Sequence, residues 1–304
     1  MKKLLSLLLL AATPLFANPF LVCPAVTSGI SNSPASYTVS GLPNSPITSN
    51  AVTITSGTVQ LDLDLGPAGQ NVPTGSYTVS ATATNPNGTS ASSPNFALTI
   101  SAPAFVQGAA AHATTTVSSI AKAYTGAQTS GNANVIMIGG VSGFVVSSVT
   151  DTKGNTYNSV ATGNVGGIQV AAYVATGIAS ASAGSNTVTV TFSAGTNSPD
   201  IHILEYSGLA SSGVFDSSDY VNGTGTSASA TFSTSNANDV IIASLLYTGT
   251  PTITAGTGYT MRVNEGPSWG NCTEDQVVSS SGSQTASFSI SSSQSWWVFA
   301  IALK

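Results

Sequence analysis

The sequence predicts an all-β protein in which two antiparallel β-sandwich domains follow a signal peptide. Short runs of β-branched and aromatic residues recur along most of the chain, and turn-forming residues separate them. Only 6% of the residues are charged, against about 25% in an average soluble protein, while 41% are hydrophobic. Serine, threonine, asparagine and glycine must therefore supply most of the surface. The recurring apolar runs favour a folded chain over a disordered one.

The first 17 residues have the pattern of a secretory signal peptide. Lys2 and Lys3 precede an apolar run at residues 4–12, and Leu15-Phe16-Ala17 offers a cleavage site before residue 18. This run is too short to anchor the chain in a bilayer, and no later stretch is long and apolar enough to do so. We therefore expect a secreted or cell-surface protein with no transmembrane segment in the mature chain.

The charge balance argues against nucleic acid as a partner. The chain has 6 basic and 11 acidic residues, and removal of Lys2 and Lys3 leaves 4 basic residues and a net charge of −7. Proteins that bind nucleic acid or an anionic membrane surface need clusters of Lys and Arg to neutralise phosphates. The sequence predicts neither kind of partner.

Residues 18–102 are predicted to form the first sandwich. Alternating or apolar segments at residues 36–40, 59–65, 76–84 and 96–100 read as strands. The turn Asn85-Pro86-Asn87-Gly88 separates the last two and predicts a hairpin. The stretch from Gly75-Ser-Tyr-Thr-Val to Asn85-Pro-Asn-Gly-Thr resembles the closing hairpin of bacterial immunoglobulin-like or fibronectin-type modules. That resemblance implies a fold and no activity.

Residues 103–304 are predicted to form a second, two-sheet, jelly-roll-like sandwich. Residues 109–123 are rich in alanine, but Thr114, Thr115, Thr116 and Val117 disfavour a helix there, so we expect a strand. The other predicted strands lie at residues 135–138, 145–149, 169–174, 186–192, 201–206, 240–247, 259–263, 285–290 and 296–303.

Three segments of this second region are similar to a β-sandwich module that recurs in large secreted proteins of soil-type bacteria. They are the segments 150–157 (TDTKGNTY), 203–209 (ILEYSGL) and 297–304 (WVFAIALK). The resemblance implies an extracellular, modular architecture. It implies no established activity and transfers no functional residues.

Hydrolysis is the first chemistry to consider. The chain has only two histidines that could serve as its general base, His112 and His202. Strand alternation places Asp200 and His202 on one face and Glu205 on the other. A hydrolase using His202 with Asp200 or Glu205 is therefore an alternative. However, the sequence has no Gly-x-Ser-x-Gly nucleophile motif, so a polar strand face is the simpler interpretation.

Acidic residues suggest two further sites. Glu205, Glu265 and Glu274 lie on different segments, as the acids of a glycosidase must, but any sandwich with a few acids would qualify. The segment holding Asp216, Asp219 and Asn222 reads as an oxygen-rich loop that suits Ca²⁺. It lacks the complete Asp-x-Asp-x-Asp-Gly pattern. Apart from this Ca²⁺ ion, we expect no cofactor.

The two cysteines, Cys23 and Cys272, leave three alternatives open. In an oxidising compartment they could form a disulfide across a long loop. They could equally be unpaired thiols, since sequence alone does not establish proximity. A third alternative makes Cys23 the site of a lipid anchor.

Aromatic residues supply the remaining candidate. Trp269 lies in a Gly- and Pro-containing loop near Tyr259, and exposed aromatic rings on loops can stack on sugars.

Taken together, these features predict a non-catalytic secreted or cell-surface protein of the structural or adhesion type. Its expected partners are surface glycans or other copies of itself. The alternative is a carbohydrate-binding module that uses Trp269 and Tyr259.

Overall fold

The computed structural model describes residues 20–24, 36–42, 47–49, 52–55, 58–62, 75–85, 88–89, 92, 95–141, 143–266 and 271–304. Over these residues the protein is all-β and its paired strands are antiparallel, which confirms the predicted fold class. The chain divides into two compact units, Met1–Ala102 and Pro103–Lys304. The predicted signal peptide lies outside the described residues. Within the described part, no helix has the length and apolar character needed to cross a bilayer.

The first unit contains two described sheets. One has the strand order β1-β5-β4, and the other has the order β3-β2-β6-β7 with β8 paired to β6. The predicted hairpin is formed, because Asn85 of β6 pairs with Gly88 of β7. Val39, Val79 and Ala81 are buried between strands of this unit. The strands are β1 Phe20–Pro24, β2 Ser36–Ser40, β3 Ile47–Ser49, β4 Val52–Thr55, β5 Thr58–Asp62, β6 Gly75–Asn85, β7 Gly88–Thr89 and β8 Phe96–Ile100.

The second unit is built from strands β9 to β22. Residues 109–123, predicted to be extended, contribute to β9 and β10, which confirms the strand assignment over the helix alternative. The strands are β9 Ala104–His112, β10 Thr116–Ala123, β11 Ala133–Val141, β12 Val146–Asp151, β13 Asn158–Val165, β14 Ile168–Ala175, β15 Thr187–Asn197, β16 Asp200–Ser207, β17 Phe215–Thr234, β18 Val240–Tyr247, β19 Ile253–Ala255, β20 Thr260–Asn264, β21 Asn271–Val277 and β22 Gly282–Leu303.

These strands form three described sheets rather than the two predicted from sequence. The outer sheet has the order β10-β15-β12, and the central sheet has the order β13-β14-β11-β16-β9. The third sheet has the order β17-β22-β18-β21-β20, with β19 paired to β22. Strands β17 and β22 are unusually long, and their pairing register shifts between Gly225 and Ser227. Beyond that β-bulge, β22 pairs with β19 instead of β18.

Three apolar cores hold these layers together. The first lies between the outer and central sheets and includes Ile136, Val190 and Ile203. The second lies between the central and third sheets and includes Val135, Leu204 and Phe299. The third covers the opposite face of the third sheet, where Ala230 and Phe288, from beyond the bulge, pack against β18. The far part of the β17–β22 hairpin therefore folds over its own sheet as a fourth layer.

Candidate functional site

A cluster of ionisable side chains lies at one end of the interface between the central and third sheets. β16 contributes Asp200 and His202 to the same face, as strand alternation predicts. His112 of β9 is the cross-strand neighbour of Asp200. Glu265 follows the end of β20, where its backbone N–H donates to Asn271 O. Residues from three separate segments thus meet at one point.

The distances within this cluster are those of ion pairs. His202 Nε2 lies 3.6 Å from Asp200 Oδ1 and 3.8 Å from Glu265 Oε2. The other oxygen of Glu265, Oε1, lies 3.0 Å from His112 Nδ1. Asp200, His202 and Glu265 each offer a ligand atom, and these three atoms lie within 4.8 Å of one another. We call these three residues the His202 cluster.

Two hydroxyl groups position the His202 ring from its other side. His202 Nδ1 lies 2.5 Å from Thr273 Oγ1. Thr273 Oγ1 in turn lies 2.8 Å from Ser244 Oγ, whose residue is its cross-strand neighbour on β18. The imidazole is therefore oriented through Nδ1, and Nε2 points at the two carboxylates.

Burial and charge shift the pKa values of the cluster in different directions. Burial and the neighbouring Glu265 charge raise the pKa of Asp200 to about 7, although His202 opposes this. Burial alone would lower the pKa of His202, but the Asp200 and Glu265 carboxylates outweigh it and raise that pKa. Burial would raise the pKa of Glu265, but the two imidazoles beside it hold that pKa below its usual value. The raised pKa of His202 therefore reflects the negative charge of the two carboxylates that face its ring.

The site has little room for an organic substrate. His202 is 3% exposed and Thr273 is fully buried. The adjoining cavity, lined by Gly139, Asp200, His202, Ser244 and Asn271 among others, has a volume of ≈ 20 Å³. That is about the space of one water molecule. Histidine, carboxylate and hydroxyl do converge here, as a hydrolase requires, but in a packed interface rather than in a cleft.

Glu205, the alternative partner proposed for His202, lies on the opposite face of β16. It is fully buried and accepts hydrogen bonds from Gln107 Nε2 and Asn132 Nδ2, both at 2.6 Å. The backbone N–H of Thr129 also donates to it. Both oxygens of Glu205 therefore have donors, and this carboxylate anchors a loop instead of joining His202.

The residues predicted to bind Ca²⁺ do not form the expected loop. Asp216, Asp219 and Asn222 all lie on β17, and at about 3.3 Å per residue each is roughly 10 Å from the next along the strand. Asp216 accepts hydrogen bonds from Ser235, and Asp219 Oδ1 accepts one from the backbone N–H of Tyr220. An extended strand disperses these oxygens, so the loop assignment is wrong.

The remaining predicted residues divide between described and undescribed parts of the chain. Trp269 lies outside the described residues. Tyr259 is half-buried and packs against the third core, so the core holds its ring in place. Cys272 is buried and free within the part of the chain that the structure describes. Cys23 belongs to β1, but its side chain lies outside the described part of the chain.

The far part of the β17–β22 hairpin presents an outer face of hydroxyl side chains that sequence reasoning missed. Its inward residues, such as Ala230 and Phe288, pack in the third core. The outward residues alternate with them and face each other in register, and the Thr231 and Thr285 hydroxyls lie 3.0 Å apart. We call these residues the hydroxyl face: Ser227, Ser229, Thr231 and Ser233 on β17, Ser283, Thr285, Ser287 and Ser289 on β22, and Thr254 on β19.

The outer sheet carries a similar surface at the other side of the stack. Val188, Val190 and Phe192 of β15 point into the first core, so Thr189 and Thr191 between them point outward. Ser119 and Ser148 are the cross-strand neighbours of Thr191. Hydroxyl side chains thus occur on both outermost layers of the second unit.

Comparison with known proteins adds no relationship. No protein-family model matches the chain, and no curated relative is found. A chitinase, ChiA74, from Bacillus thuringiensis has 14% sequence identity and a TM-score of 0.17 to this chain. The match covers 64% of this chain and 26% of the chitinase chain. A similarity this low establishes no shared fold and assigns neither an activity nor a ligand.

The sequence contained part of the signal for both sites. The pattern Ser-x-Ser-x-Thr-x-Ser at residues 227–233 is the alternation of a strand, but its apolar members are mostly alanine, so it was not predicted as one. Asp200 and His202 were recognised as sharing a face. Glu265 and Thr273 lie more than sixty positions further along the chain, and only the packing of two sheets brings them to His202.

Proposed function

We propose that this protein is a non-catalytic adhesion module, secreted or held at the cell surface, that binds uncharged, hydroxyl-rich polysaccharide through the hydroxyl face. The observation that carries the proposal is the register of that face, in which serine and threonine stand opposite serine and threonine on paired strands. The signal-peptide pattern and the resemblance of both regions to modules of secreted bacterial proteins support export.

The chemistry of the hydroxyl face suits a neutral polymer. Each hydroxyl can donate one hydrogen bond and accept two. Paired strands lie about 4.8 Å apart and outward residues repeat about every 6.6 Å along a strand, so the hydroxyls form a regular array. A single hydrogen bond contributes only about 0.5–1.5 kcal/mol, but a repetitive partner can engage many at once. Because the hydroxyl face consists of serine and threonine, its own side chains are uncharged, which suits an uncharged partner.

The His202 cluster supports a non-catalytic function rather than the hydrolase alternative. A general base must reach the proton that it abstracts in a bound substrate. His202 is buried, and the cavity beside it holds about one water. The cluster is better suited to binding a small cation than to acting on a polymer.

A depletion assay with insoluble cellulose and insoluble xylan tests the adhesion function. We expect the wild type to leave solution and the double variant Thr231→Lys/Ser289→Lys to bind at least tenfold more weakly. The two lysines interrupt the array at positions that are not cross-strand neighbours, so they should not destabilise the hairpin through mutual repulsion. Ser212→Lys, at an exposed position outside the hydroxyl face, is the control and should bind as the wild type does.

Three outcomes would contradict this proposal. One is failure of the wild type to bind either polysaccharide, and another is undiminished binding by the double variant. The third is loss of binding in Trp269→Ala alone, which would move the binding site to the segment 267–270. Size-exclusion chromatography with light scattering, run beside the assay, would detect self-association through the same face.

A further inference from the structure

We propose that Asp200, His202 and Glu265 bind a divalent transition-metal ion of the zinc class. The ligand atoms are His202 Nε2 and one carboxylate oxygen from each acid. This inference is independent of polysaccharide binding, because the His202 cluster lies inside the sheet stack and the hydroxyl face lies on its surface.

The spacing of the three atoms fits a shared ion. His202 Nε2 is 3.6 Å from Asp200 Oδ1 and 3.8 Å from Glu265 Oε2. Zinc bonds to nitrogen and oxygen are about 2.0–2.2 Å long, which places neighbouring ligands of a tetrahedral site about 3.3–3.6 Å apart. The two distances from His202 are therefore within a few tenths of an ångström of that spacing, and the two carboxylate oxygens lie within 4.8 Å of each other.

The same three atoms lie at ion-pair distances but form no hydrogen bonds in the part of the chain that the structure describes. Asp200 Oδ1, His202 Nε2 and Glu265 Oε2 are all buried, and none has a hydrogen-bond partner among the described residues. Buried polar atoms are normally paired, since leaving one unpaired costs about 1–3 kcal/mol. Three such atoms aimed at one point have a common explanation in a cation that contacts all of them.

The surroundings of the ligands are those of a metal site. A histidine that binds a metal through one ring nitrogen usually donates the other N–H to an oxygen, which fixes its tautomer. His202 Nδ1 has Thr273 Oγ1 in that position at 2.5 Å. His112 Nδ1 orients Glu265 in the same way, by contacting the oxygen that does not face His202. The adjoining cavity has space for a water as a further ligand.

The donor set selects the type of ion. An imidazole nitrogen favours zinc and related transition metals, whereas Ca²⁺ and Mg²⁺ prefer sites built only from oxygen. Metal binding displaces any protons held by the ligands, and the two carboxylates and neutral imidazole then carry a charge of −2, which a divalent ion neutralises in this buried position. Zn²⁺ should therefore bind more tightly than Ca²⁺.

The test is equilibrium dialysis of the full-length protein, first treated with a chelator, against Zn²⁺, with bound metal measured by mass spectrometry. We expect one Zn²⁺ per chain and no comparable retention of Ca²⁺. Glu265→Gln, Asp200→Asn and His202→Gln should each weaken Zn²⁺ binding at least tenfold. Glu274→Gln removes a buried carboxyl outside the cluster and should leave binding unchanged.

A thermal-unfolding series distinguishes loss of Zn²⁺ binding from failure of a variant to fold. Zn²⁺ should raise the midpoint of the wild type and of Glu274→Gln, because an ion that binds only the folded state stabilises it. It should not raise the midpoint of Glu265→Gln, whose side chain lies at the edge of the cluster and is the least buried of the three. Failure of the wild type to retain Zn²⁺, or equal retention by all three cluster variants, would overturn the proposal.

Discussion

Buried tyrosine hydroxyls link the sheets of the second unit, and their partners determine how much each contributes to stability. Tyr206 donates to Asp275 Oδ2 at 2.7 Å, and Asp275 also accepts a hydrogen bond from Arg262. The Arg262 guanidinium in turn lies over the Phe105 ring. Tyr124 donates to a neutral acceptor, the backbone carbonyl of Leu204, at 3.1 Å.

We therefore predict that Tyr206→Phe lowers the free energy of unfolding more than Tyr124→Phe does. Hydrogen bonds to a charged group contribute about 1.5–3 kcal/mol and those between neutral groups about 1 kcal/mol. Urea denaturation of the two variants measures the difference directly, and each serves as the size-matched control for the other. Equal losses would mean that the Asp275 carboxylate is satisfied without Tyr206.

Glu274 makes the folded state less stable as the pH rises. Its Oε2 accepts a hydrogen bond from the backbone N–H of Gly256, while burial and the neighbouring Asp275 raise its pKa to about 8. In the unfolded chain a glutamate ionises near pH 4.3. Between these values the unfolded state releases a proton that the folded state retains, so folding becomes less favourable as the pH rises.

Glu274→Gln should remove that loss of stability. We predict that the variant gains stability relative to the wild type as the pH rises from about 5 to about 8, by an amount on the order of a few kcal/mol. The measurement is the free energy of unfolding of both proteins at several pH values. A constant difference between them across this range would contradict the raised pKa of Glu274.

At the scale of single residues, the sequence predicted neighbours along a strand but not across sheets. Asp200 and His202 share a face because alternation is a local rule. Their contact with Glu265, and that of His202 with Thr273, depends on how the central and third sheets stack. No local pattern encodes that stacking, so the site could be predicted only in part.

At the scale of elements, the fourth layer depends on one close approach. The chain just after β19 packs directly against the backbone of β22. Gly256 has no side chain, and a Cβ placed there would overlap the backbone carbonyl of Ser287. A backbone atom in a paired strand has little freedom to move away. The glycine therefore allows this segment to pack against β22.

We predict that Gly256→Ala lowers the free energy of unfolding by about 1–3 kcal/mol, the usual cost of overpacking. Gly195→Ala is the matched control, since its added Cβ meets only the methyl group of Thr116, which can rotate away on the surface. Thermal denaturation of both variants distinguishes the positions. Equal effects would mean that the segment after β19 is free to shift.

The elements that were predicted correctly are those with apolar β-branched runs. β18 was predicted at the residues where it is found, 240–247, because its side chains are almost all apolar. β17 was not predicted, because serine, glycine, threonine and alanine dominate it. Its pairing with β22 supplies the hydrogen bonds, and beyond the bulge its alanines and Phe232 reach the third core.

At the scale of the whole molecule, opposing groups of acids set the pH at which the protein is most stable. Asp239 resembles Glu274, since burial and the neighbouring Asp216 raise its pKa to about 8. Burial would raise the pKa of Asp151, but hydrogen bonds from Asn186, Asn155 and Tyr157 outweigh it and lower that pKa. Hydrogen bonds from Ser235 likewise outweigh burial and lower the pKa of Asp216.

The sign of each effect follows from linkage. Acids with a lowered pKa contribute stability that is lost as the pH falls through about 4, and acids with a raised pKa reduce stability as the pH rises from about 4 to 8. We therefore predict that the free energy of unfolding is highest in mild acid, near pH 5. Urea denaturation at about pH 3, 5 and 9 tests this, and a maximum at pH 9 would contradict it.

The sequence predicted the all-β class of the protein correctly, but not the number of sheets that stack in the second unit. Turn residues between short apolar runs are sufficient to predict antiparallel sheets. The number of sheets depends on which strands pair. In this chain the fold-over of the β17–β22 hairpin at its bulge creates an additional layer. A bulge leaves little signal in a sequence this rich in serine and glycine.

The most direct test of the proposed adhesion function is the salt dependence of wild-type binding to insoluble cellulose or xylan. Hydrogen bonds between uncharged hydroxyls are not screened by salt, whereas interactions between exposed charges weaken as ionic strength rises. We predict saturable binding whose affinity is unchanged between low salt and about 1 M salt. An affinity that falls steeply over this range, or no saturable binding at any salt concentration, would contradict recognition through the hydroxyl face.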